Sequence, residues 1–280
     1  MQPKINISLT SYPARIGVVA KALQPILRQT VTPDRILVWL SKDEFPSLDA
    51  SLPQDLIELR TANSKLQICW VDGNHFSHDK YLGCLQQFPD DITILIDDDL
   101  VYPTTLVQQL LDFHFLFPES IIANRTHLVT QKESGEIAPY TEWVHEQTEF
   151  VGVPRNDLIA TTGAGTLYPP RAFNEIAFDV DAIRELACTA DDIWLMMCTI
   201  EAKRTVVAIG NSHLSYIDGT QENGLCKLNW DQGQNDVQLK NLFARYPDFQ
   251  KRLIGATTRK VVVSEEDSTP QSRKRLFRRH

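Results

Sequence analysis

Three consecutive aspartates, Asp97, Asp98 and Asp99, follow an apolar run in the stretch "ILIDDDLVYP" (94–103). Crowding three carboxylates at the end of a buried-looking segment costs electrostatic energy, which a bound cation would offset. Mg²⁺ or Mn²⁺ held by one or two carboxylates together with substrate phosphates is a common solution. Because side chains alternate along an extended chain, Asp97 and Asp99 share one side, and we predict that they bind a metal ion and a nucleotide. A solvated acidic turn or a helix cap is the alternative.

A second carboxylate pair, Asp191 and Asp192 in "TADDIWL", lies at the predicted start of a helix. Acidic side chains in the first turn interact favourably with the helix dipole, so capping alone would explain the pair. The functional interpretation is a general base, a carboxylate that takes the proton from an attacking hydroxyl. Two adjacent acids can also divide these roles, one orienting and one reacting.

Five further residues are candidates for ligand contacts. Gly163 and Gly165 in "TTGAGTLYPP" let the backbone approach a ligand closely, although the segment does not lead from a strand into a helix as a dinucleotide or phosphate loop does. His213 is a candidate third metal ligand or phosphate contact, or else a structural histidine. Arg15 and Lys80 are candidates to contact a diphosphate, with surface charge as the alternative.

These residues need elements that bring them together, and apolar runs alternate with helical patterns through the first half. Strands are predicted at 5–10, 35–41, 66–72, 91–97 and 120–129, and helices at 17–29, 51–60, 80–88 and 104–117. Such alternation indicates a mostly parallel sheet covered by helices on both faces. Ligands bind outside the carboxyl ends of such strands, where the three aspartates lie.

The second half is less regular, with a Gly-rich turn between two extended pieces (158–170), a helix (190–202) and a strand (205–210). We predict one compact α/β domain over residues 1–263. Its nucleotide-binding half covers about 1–129 and its acceptor-side half about 130–245, and a flexible basic tail follows at 264–280.

Composition and charge narrow the class of protein. The 280 residues are 42% hydrophobic and 23% charged, as in ordinary globular proteins. No apolar run approaches the roughly 20 residues that span a bilayer, and the first residues lack the apolar core of a signal peptide, which predicts a cytoplasmic protein.

The net charge of −8 conceals an uneven distribution. Residues 270–280 carry five Lys or Arg and no acid, so the rest has 23 bases against 36 acids. An acidic body argues against nucleic-acid binding. The basic tail predicts peripheral contact with the inner face of the cell membrane, with a solvated, disordered tail as the alternative.

The strand-end aspartates, the Gly-rich turn and the Asp-Asp helix follow one another along the chain in an order that resembles that of GT-A glycosyltransferases. More narrowly, the chain resembles the glycosyltransferase family 2-like enzymes of bacterial lipopolysaccharide and capsule assembly. The resemblance covers about residues 5–245 and runs through "ISLTSYPARI" (7–16), "QTVTPDRILVWLS" (29–41), "WVDGNHFSHDKY" (70–81), "IDDDLVYP" (96–103), "TGAGTLYPP" (162–170), "ADDIWLMM" (190–197) and "NDVQLKNL" (235–242). No QxxRW motif follows, which argues against a processive synthase.

The resemblance implies a nucleotide-sugar donor, most commonly UDP-linked, a divalent metal (Mn²⁺ or Mg²⁺), and a glycan or lipid-linked acceptor hydroxyl. The aspartate triplet fills the place of the DxD motif, with Asp97 on the nucleotide side, Asp99 on the metal side and Asp98 between them. The family's acid pair matches Asp191 and Asp192, which makes Asp192 the base and Asp191 the reserve. The implied reaction is a direct displacement that inverts the anomeric centre.

The resemblance also implies which residues bind the donor. Thr10, Tyr12 and Arg15 after the first strand, and Asp72 after the third, would hold the base and ribose. The Gly163–Gly165 turn would face the donor sugar and the acceptor. A retaining transferase or nucleotidyltransferase of the same fold, and a non-catalytic sugar-nucleotide-binding module, remain alternatives. The loop "TSYPARIG" has one Gly and one base, unlike the Gly-rich basic loop of a nucleotidyltransferase.

Overall fold

The structure is a computed structural model that describes residues 3–210, 214–220 and 227–257. Its strands are β1 (Ile5–Thr10), β2 (Arg35–Ser41), β3 (Leu66–Val71), β4 (Ile92–Ile96), β5 (Leu100–Val101), β6 (Ile121–Ala123), β7 (Thr126–Leu128), β8 (Leu158–Ala160), β9 (Ala164–Tyr168), β10 (Val206–Ala208) and β11 (Ser215–Tyr216). Its helices are α1 (Val19–Ile26), α2 (Gln54–Ala62), α3 (Asp79–Gln87), α4 (Leu106–Leu116), α5 (Val180–Leu186), α6 (Asp191–Glu201), α7 (Gln234–Arg245) and α8 (Pro247–Ala256).

A seven-stranded sheet in the order β10-β6-β9-β4-β1-β2-β3 forms the centre of the molecule. Its neighbouring strands run parallel except β9, which is antiparallel to both β4 and β6. The register between β4 and β9 shifts between Leu95 and Ile96, directly before the aspartate triplet. This mostly parallel arrangement confirms the fold class predicted from the sequence.

Helices cover both faces of the sheet, which is why its strands read as continuous apolar runs. On one face, Ile94 and Ile96 of β4 join a core with side chains of α1, α2 and α4. On the other face, Leu95 joins a core with side chains of α3 and α5 to α8. The two cores enclose the sheet as a single compact domain, and both draw on β9 or β10 from the second half of the chain.

The predicted fifth strand, 120–129, was wrong in its extent. The chain forms two strands, β6 in the central sheet and β7 paired with β8 in a separate two-stranded sheet. The Asn124 side chain, between them, donates to the Ala164 carbonyl at 3.0 Å and fixes the chain where it leaves the central sheet. A second small ribbon, β5 with β11, was not predicted.

Three sequence predictions concern other parts of the chain. No helix within the described ranges is long and apolar enough to cross a membrane. His213 and the tail at 264–280 lie outside the described residues. The division into a nucleotide-binding half and an acceptor-side half stays a prediction.

Candidate active site

The carboxyl ends of the central strands border a cleft of about 340 Å³, which we call the main cleft. The side chains that line it include Arg15, Lys80, Asp97, Asp99, Asp191 and Asp192. The triplet after β4 and the pair at the start of α6 are therefore brought together, although 94 positions separate Asp97 from Asp191 in the sequence.

A second cleft of about 200 Å³ lies beside the main cleft, and we call it the small cleft. Its lining includes Thr10, Ser11, Tyr12, Glu44, Asn74 and Phe76. Arg15, Ser77 and Asp97 line both clefts. The two clefts thus adjoin at these three residues, so one elongated ligand could occupy both.

Lys80 connects the two acidic groups. Its Nζ lies 2.9 Å from Asp97 Oδ1 and 2.9 Å from Asp191 Oδ2, and its side chain is only 3% exposed. Burial would lower the pKa of Lys80, but the neighbouring carboxylates outweigh it and raise the pKa, so the ammonium stays charged. The sequence predicted a diphosphate contact for Lys80; the structure shows a buried cation that joins two carboxylates.

Arg15 makes a similar connection on the other side of the triplet. Its guanidinium lies 3.0 Å from Asp98 Oδ1 and also pairs with Asp99. Ser11 donates to Asp98 at 2.5 Å. Burial raises the pKa of Asp98 to about 7 despite the charge of Arg15. Asp98 therefore anchors the loop after β1, while Asp97 and Asp99 line the main cleft; Asp98 and Asp99 lie in a turn after β4 and not in the extended chain that the alternation assumed.

Gly163 is required by its contact with Asp97. A Cβ at this position would overlap the Asp97 carboxylate, and the Asp97 amide lies 3.1 Å from the Gly163 carbonyl and 2.7 Å from the Tyr102 hydroxyl. The buried Tyr102 hydroxyl also donates to the Gly163 carbonyl, which joins the two turns. Gly165, by contrast, has φ +97° on β9, packs toward Leu106 and lines neither cleft.

Asp191 and Asp192 share one partner, Thr162. Its hydroxyl lies 2.7 Å from a carboxylate oxygen of each, and its amide donates to Asp192 at 2.8 Å. Burial would raise the pKa of Asp191, but the charge of Lys80 outweighs it and holds that pKa below its usual range. Burial and the adjacent charge of Asp191 raise the pKa of Asp192 to about 7. Sequence reasoning missed Thr162, although it directly precedes Gly163.

Of the residues predicted to hold the base and ribose, some line a cleft and one does not. Thr10 and Tyr12 line the small cleft. Asp72 lines neither cleft: its side chain is 89% exposed and pairs with Lys42 Nζ at 2.8 Å. The chain after β3 turns outward at Asp72 and reaches the small cleft at Asn74. The prediction for Asp72 therefore finds no support in the geometry.

The main cleft has an aromatic wall that the sequence did not reveal, formed by His127, Tyr140, His145 and Trp230. Ring centroids lie 4.5 Å apart for His127 and His145, and 4.4 Å apart for His145 and Trp230. Burial lowers the pKa of His127 to about 3, so this imidazole is neutral at physiological pH. The four residues come from three segments of the chain, with Tyr140 and His145 five residues apart in one of them, and no sequence motif marks them.

No protein-family model and no curated protein sequence matches this chain. A mannosyltransferase from Pyrobaculum calidifontis, solved with GDP-Man and Mn²⁺, superposes with a TM-score of 0.52 at 13% identity, covering 91% of this chain and 69% of that one. The chain has a GT-A-like fold. This likeness concerns the fold alone, because the sequences are so different.

Two other solved structures overlap this GT-A-like chain less well. TarS 1–349 from S. aureus, in complex with UDP, gives a TM-score of 0.46 at 15% identity and covers 76% of this chain. The present chain spans 59% of that TarS structure. An apo UDP-glucose pyrophosphorylase gives 0.43 at 12% identity, covering 89% of this chain and 99% of that one.

The acidic groups of the main cleft suit a divalent cation. Burial and repulsion from the charge of Asp97 raise the pKa of Asp99. The five aspartates of the triplet and the pair outnumber the three described basic side chains that line the main cleft, Arg15, Lys80 and Arg125, and carboxylate oxygens are the hard ligands that Mg²⁺ and Mn²⁺ prefer. Within the described ranges, which exclude His213, no three His, Cys, Asp or Glu side chains are arranged to hold a metal alone. A metal ion held by Asp97 and Asp99 would need further oxygen ligands, which the phosphates of a bound nucleotide can supply.

Proposed function

We propose that this protein is a metal-dependent glycosyltransferase that moves a sugar from a nucleotide-sugar donor to a hydroxyl of a glycan or lipid-linked acceptor. The observation that carries the proposal is the Lys80 bridge, 2.9 Å from both Asp97 and Asp191. Lys80 holds the aspartate triplet, which suits the binding of a metal ion and a diphosphate, beside the pair Asp191 and Asp192, which suits proton transfer. A glycosyl transfer needs both groups at one place.

The adjoining clefts support a particular donor orientation. The nucleoside fits the small cleft, with Thr10 and Tyr12 in its lining. The diphosphate then lies where the clefts meet, near Arg15 and Ser77, and the sugar enters the main cleft. Mn²⁺ or Mg²⁺, held by Asp99 and Asp97, would neutralise charge on the leaving diphosphate.

Asp192 is the proposed base, and its pKa of about 7 suits proton transfer near neutral pH. The acceptor hydroxyl gives its proton to the Asp192 carboxylate, and its oxygen forms a bond to the anomeric carbon. The bond from that carbon to the diphosphate oxygen breaks, and the electron pair leaves with the nucleoside diphosphate. Attack from the opposite face inverts the centre. Asp191, ion-paired with Lys80, stays charged and positions its neighbour.

A UDP-linked donor and a place in bacterial lipopolysaccharide or capsule synthesis are parts of the same proposal. They are supported by the ordered sequence motifs alone. A cytoplasmic location, with the basic residues of 270–280 on the inner face of the membrane, is supported by charge. Removing residues 270–280 should reduce sedimentation with anionic vesicles, and unchanged sedimentation would contradict this part.

A donor screen tests the reaction class. The protein would be incubated with UDP-, GDP- and dTDP-sugars, with Mn²⁺ or with EDTA, and the released nucleotide would be identified. Release of a nucleoside diphosphate that depends on Mn²⁺ is expected from a transferase, whereas pyrophosphate exchange would indicate a nucleotidyltransferase. Absence of release with every donor, together with unchanged nucleotide binding in Asp99→Ala, would contradict the proposal and favour a non-catalytic binding module.

A further inference from the structure

The aromatic wall of the main cleft has no part in the donor chemistry above. Its rings form one continuous cluster. The ring centroid of Tyr140 lies 5.3 Å from that of His145 and 5.6 Å from that of Trp230. His127 and Tyr140 are 7% and 6% exposed, whereas Trp230 is 38% exposed. Trp230 is thus an exposed member of the wall, and the buried Tyr140 and half-buried His145 pack against its ring.

Hydrogen bonds tie the segment that carries Trp230 to the start of α6. The side-chain amide of Asn229 donates to the Thr189 carbonyl at 2.6 Å, and the Thr189 hydroxyl donates to Asn229 Oδ1 at 2.8 Å. Gln238 of α7 also binds the Thr189 amide and hydroxyl, at 2.9 and 2.8 Å. Because Thr189 lies two residues before Asp191, the network places Trp230 beside the acid pair.

The chemistry of the wall suits a sugar ring. The faces of aromatic rings carry negative potential, and the C–H groups of a pyranose, polarised by their oxygens, pack against such faces. His145 Nε2 lies 3.0 Å from the Tyr140 carbonyl, which fixes the proton on Nε2. The buried Nδ1 of His145 has no hydrogen-bond partner among the described residues.

The charges around the wall indicate a ligand without negative charge. Arg125, the basic residue beside it, already lies 2.8 Å from the Thr161 hydroxyl and 3.6 Å from Glu146. Asp191 and Asp192 line the same cleft. An anionic sugar would meet more carboxylates than available cations, so its binding would be disfavoured.

We infer that Trp230 and the rings behind it form an acceptor subsite for an uncharged pyranose ring, which stacks on Trp230 and presents its hydroxyl toward Asp192. This inference rests on the proposed glycosyl transfer and specifies its acceptor class. Trp230 is a binding residue here and takes no part in the proton transfer.

Saturation-transfer NMR tests the subsite. Methyl glucopyranoside, galactopyranoside and mannopyranoside would be added to the full chain with diamagnetic Mg²⁺ and either UDP or GDP, with sorbitol as the open-chain control. We expect saturation of C–H protons on one ring face of at least one pyranoside. Trp230→Ala should weaken its binding about tenfold, and Trp230→Phe should weaken it less, because a smaller aromatic face remains.

Trp70→Phe is the matched control, because Trp70 is a half-buried tryptophan of β3 that lines neither cleft. No saturation of any pyranoside by the wild-type protein, or equal binding by Trp230→Ala and wild type, would overturn the inference. Should Trp230→Ala lose its cooperative thermal transition, the comparison rests on Trp230→Phe. Nucleotide binding, followed by thermal shift in the same samples, separates the two proposals: its absence in wild type counts against the donor site and not against the pyranoside subsite.

Discussion

At the scale of single residues, the site depends on buried cations between carboxylates. Lys80 and Arg15 each contact two aspartates, and together they hold the triplet after β4 against β1 and α6. A buried ion pair contributes little net stability, but removing one partner leaves the other charge unpaired in a poorly hydrated place. These residues are therefore where substitution should have the largest effect on folding.

Replacing Lys80 with Met should destabilise the protein strongly. The side chain is 3% exposed, and the substitution leaves Asp97 and Asp191 without their shared cation. We expect the free energy of unfolding, measured with urea, to fall by about 3–5 kcal/mol. Lys42→Met is the matched control, since Lys42 pairs with the exposed Asp72, and it should change stability by less than about 1 kcal/mol. Equal losses in both variants would contradict this role of Lys80.

His78 should make stability depend on pH. Its imidazole is fully buried, Nε2 lies 2.8 Å from the Ala187 carbonyl, and burial lowers its pKa to about 4. The unfolded chain, with a pKa of about 6.5, binds the proton more readily, so His78 stabilises the fold above pH 6.5 and loses this contribution as the pH falls toward 4.

The loss attributable to His78 should reach about 3 kcal/mol between pH 6.5 and 4. Urea unfolding of wild type and His78→Gln across this range measures it. The variant should show a shallower dependence, with part retained because burial also lowers the pKa of His127. The same slope in both proteins would show that His78 does not titrate on unfolding.

At the scale of elements, the strand ends and the turns behind them position the acids. β4 brings Asp97 to the cleft edge, the Gly163 turn lies against its carboxylate, and Tyr102 joins both turns. The turn that connects β8 to β9 is thus as much a part of the site as the aspartate triplet.

Gly163→Ala should displace the Asp97 carboxylate, because the added Cβ would occupy its position. We expect the rate of donor-dependent sugar transfer to fall by at least about tenfold, since a displacement near 1 Å in a site can cost more than that. Gly255→Ala on α8, where nothing lies within 4 Å of the new Cβ, is the control and should keep full activity. Unchanged turnover in Gly163→Ala would contradict the account of this turn.

The regular elements could be predicted because their cause is local. Apolar runs bounded by turn residues gave the bounds of β1 and β2, and predicted α6 within one residue. The break between β6 and β7 was missed because it depends on Asn124 reaching the Ala164 carbonyl, 40 residues away. The aromatic wall was missed for the same reason: its members meet only once the loops are folded. The place of Asp72 was misjudged because a strand end does not fix which way the next loop turns.

At the scale of the whole molecule, an acidic cleft lies on one edge of a sheet that helices cover on both faces. Ligands that neutralise this cleft should bind the folded state alone. Mn²⁺ with UDP or GDP should therefore raise the midpoint of thermal unfolding, by an amount that grows with ligand concentration and corresponds to about 2.7 kcal/mol at 100 times the Kd.

EDTA should reduce this stabilisation to that of the nucleotide alone, and Asp99→Ala should weaken it. Either ligand alone should give a smaller shift than both together, because the metal is shared between protein and phosphate oxygens. Identical midpoints with and without Mn²⁺ at saturating nucleotide would contradict a shared metal site.

The central claim is that Asp192 accepts the proton of the attacking hydroxyl and takes no part in binding the nucleotide. The most direct test compares Asp192→Asn with wild type in sugar transfer and in nucleotide binding with Mn²⁺. The account predicts that transfer falls by about a hundredfold or more while the nucleotide Kd changes by less than about twofold. Transfer retained within a few-fold of wild type, or loss of both activities together, would contradict it.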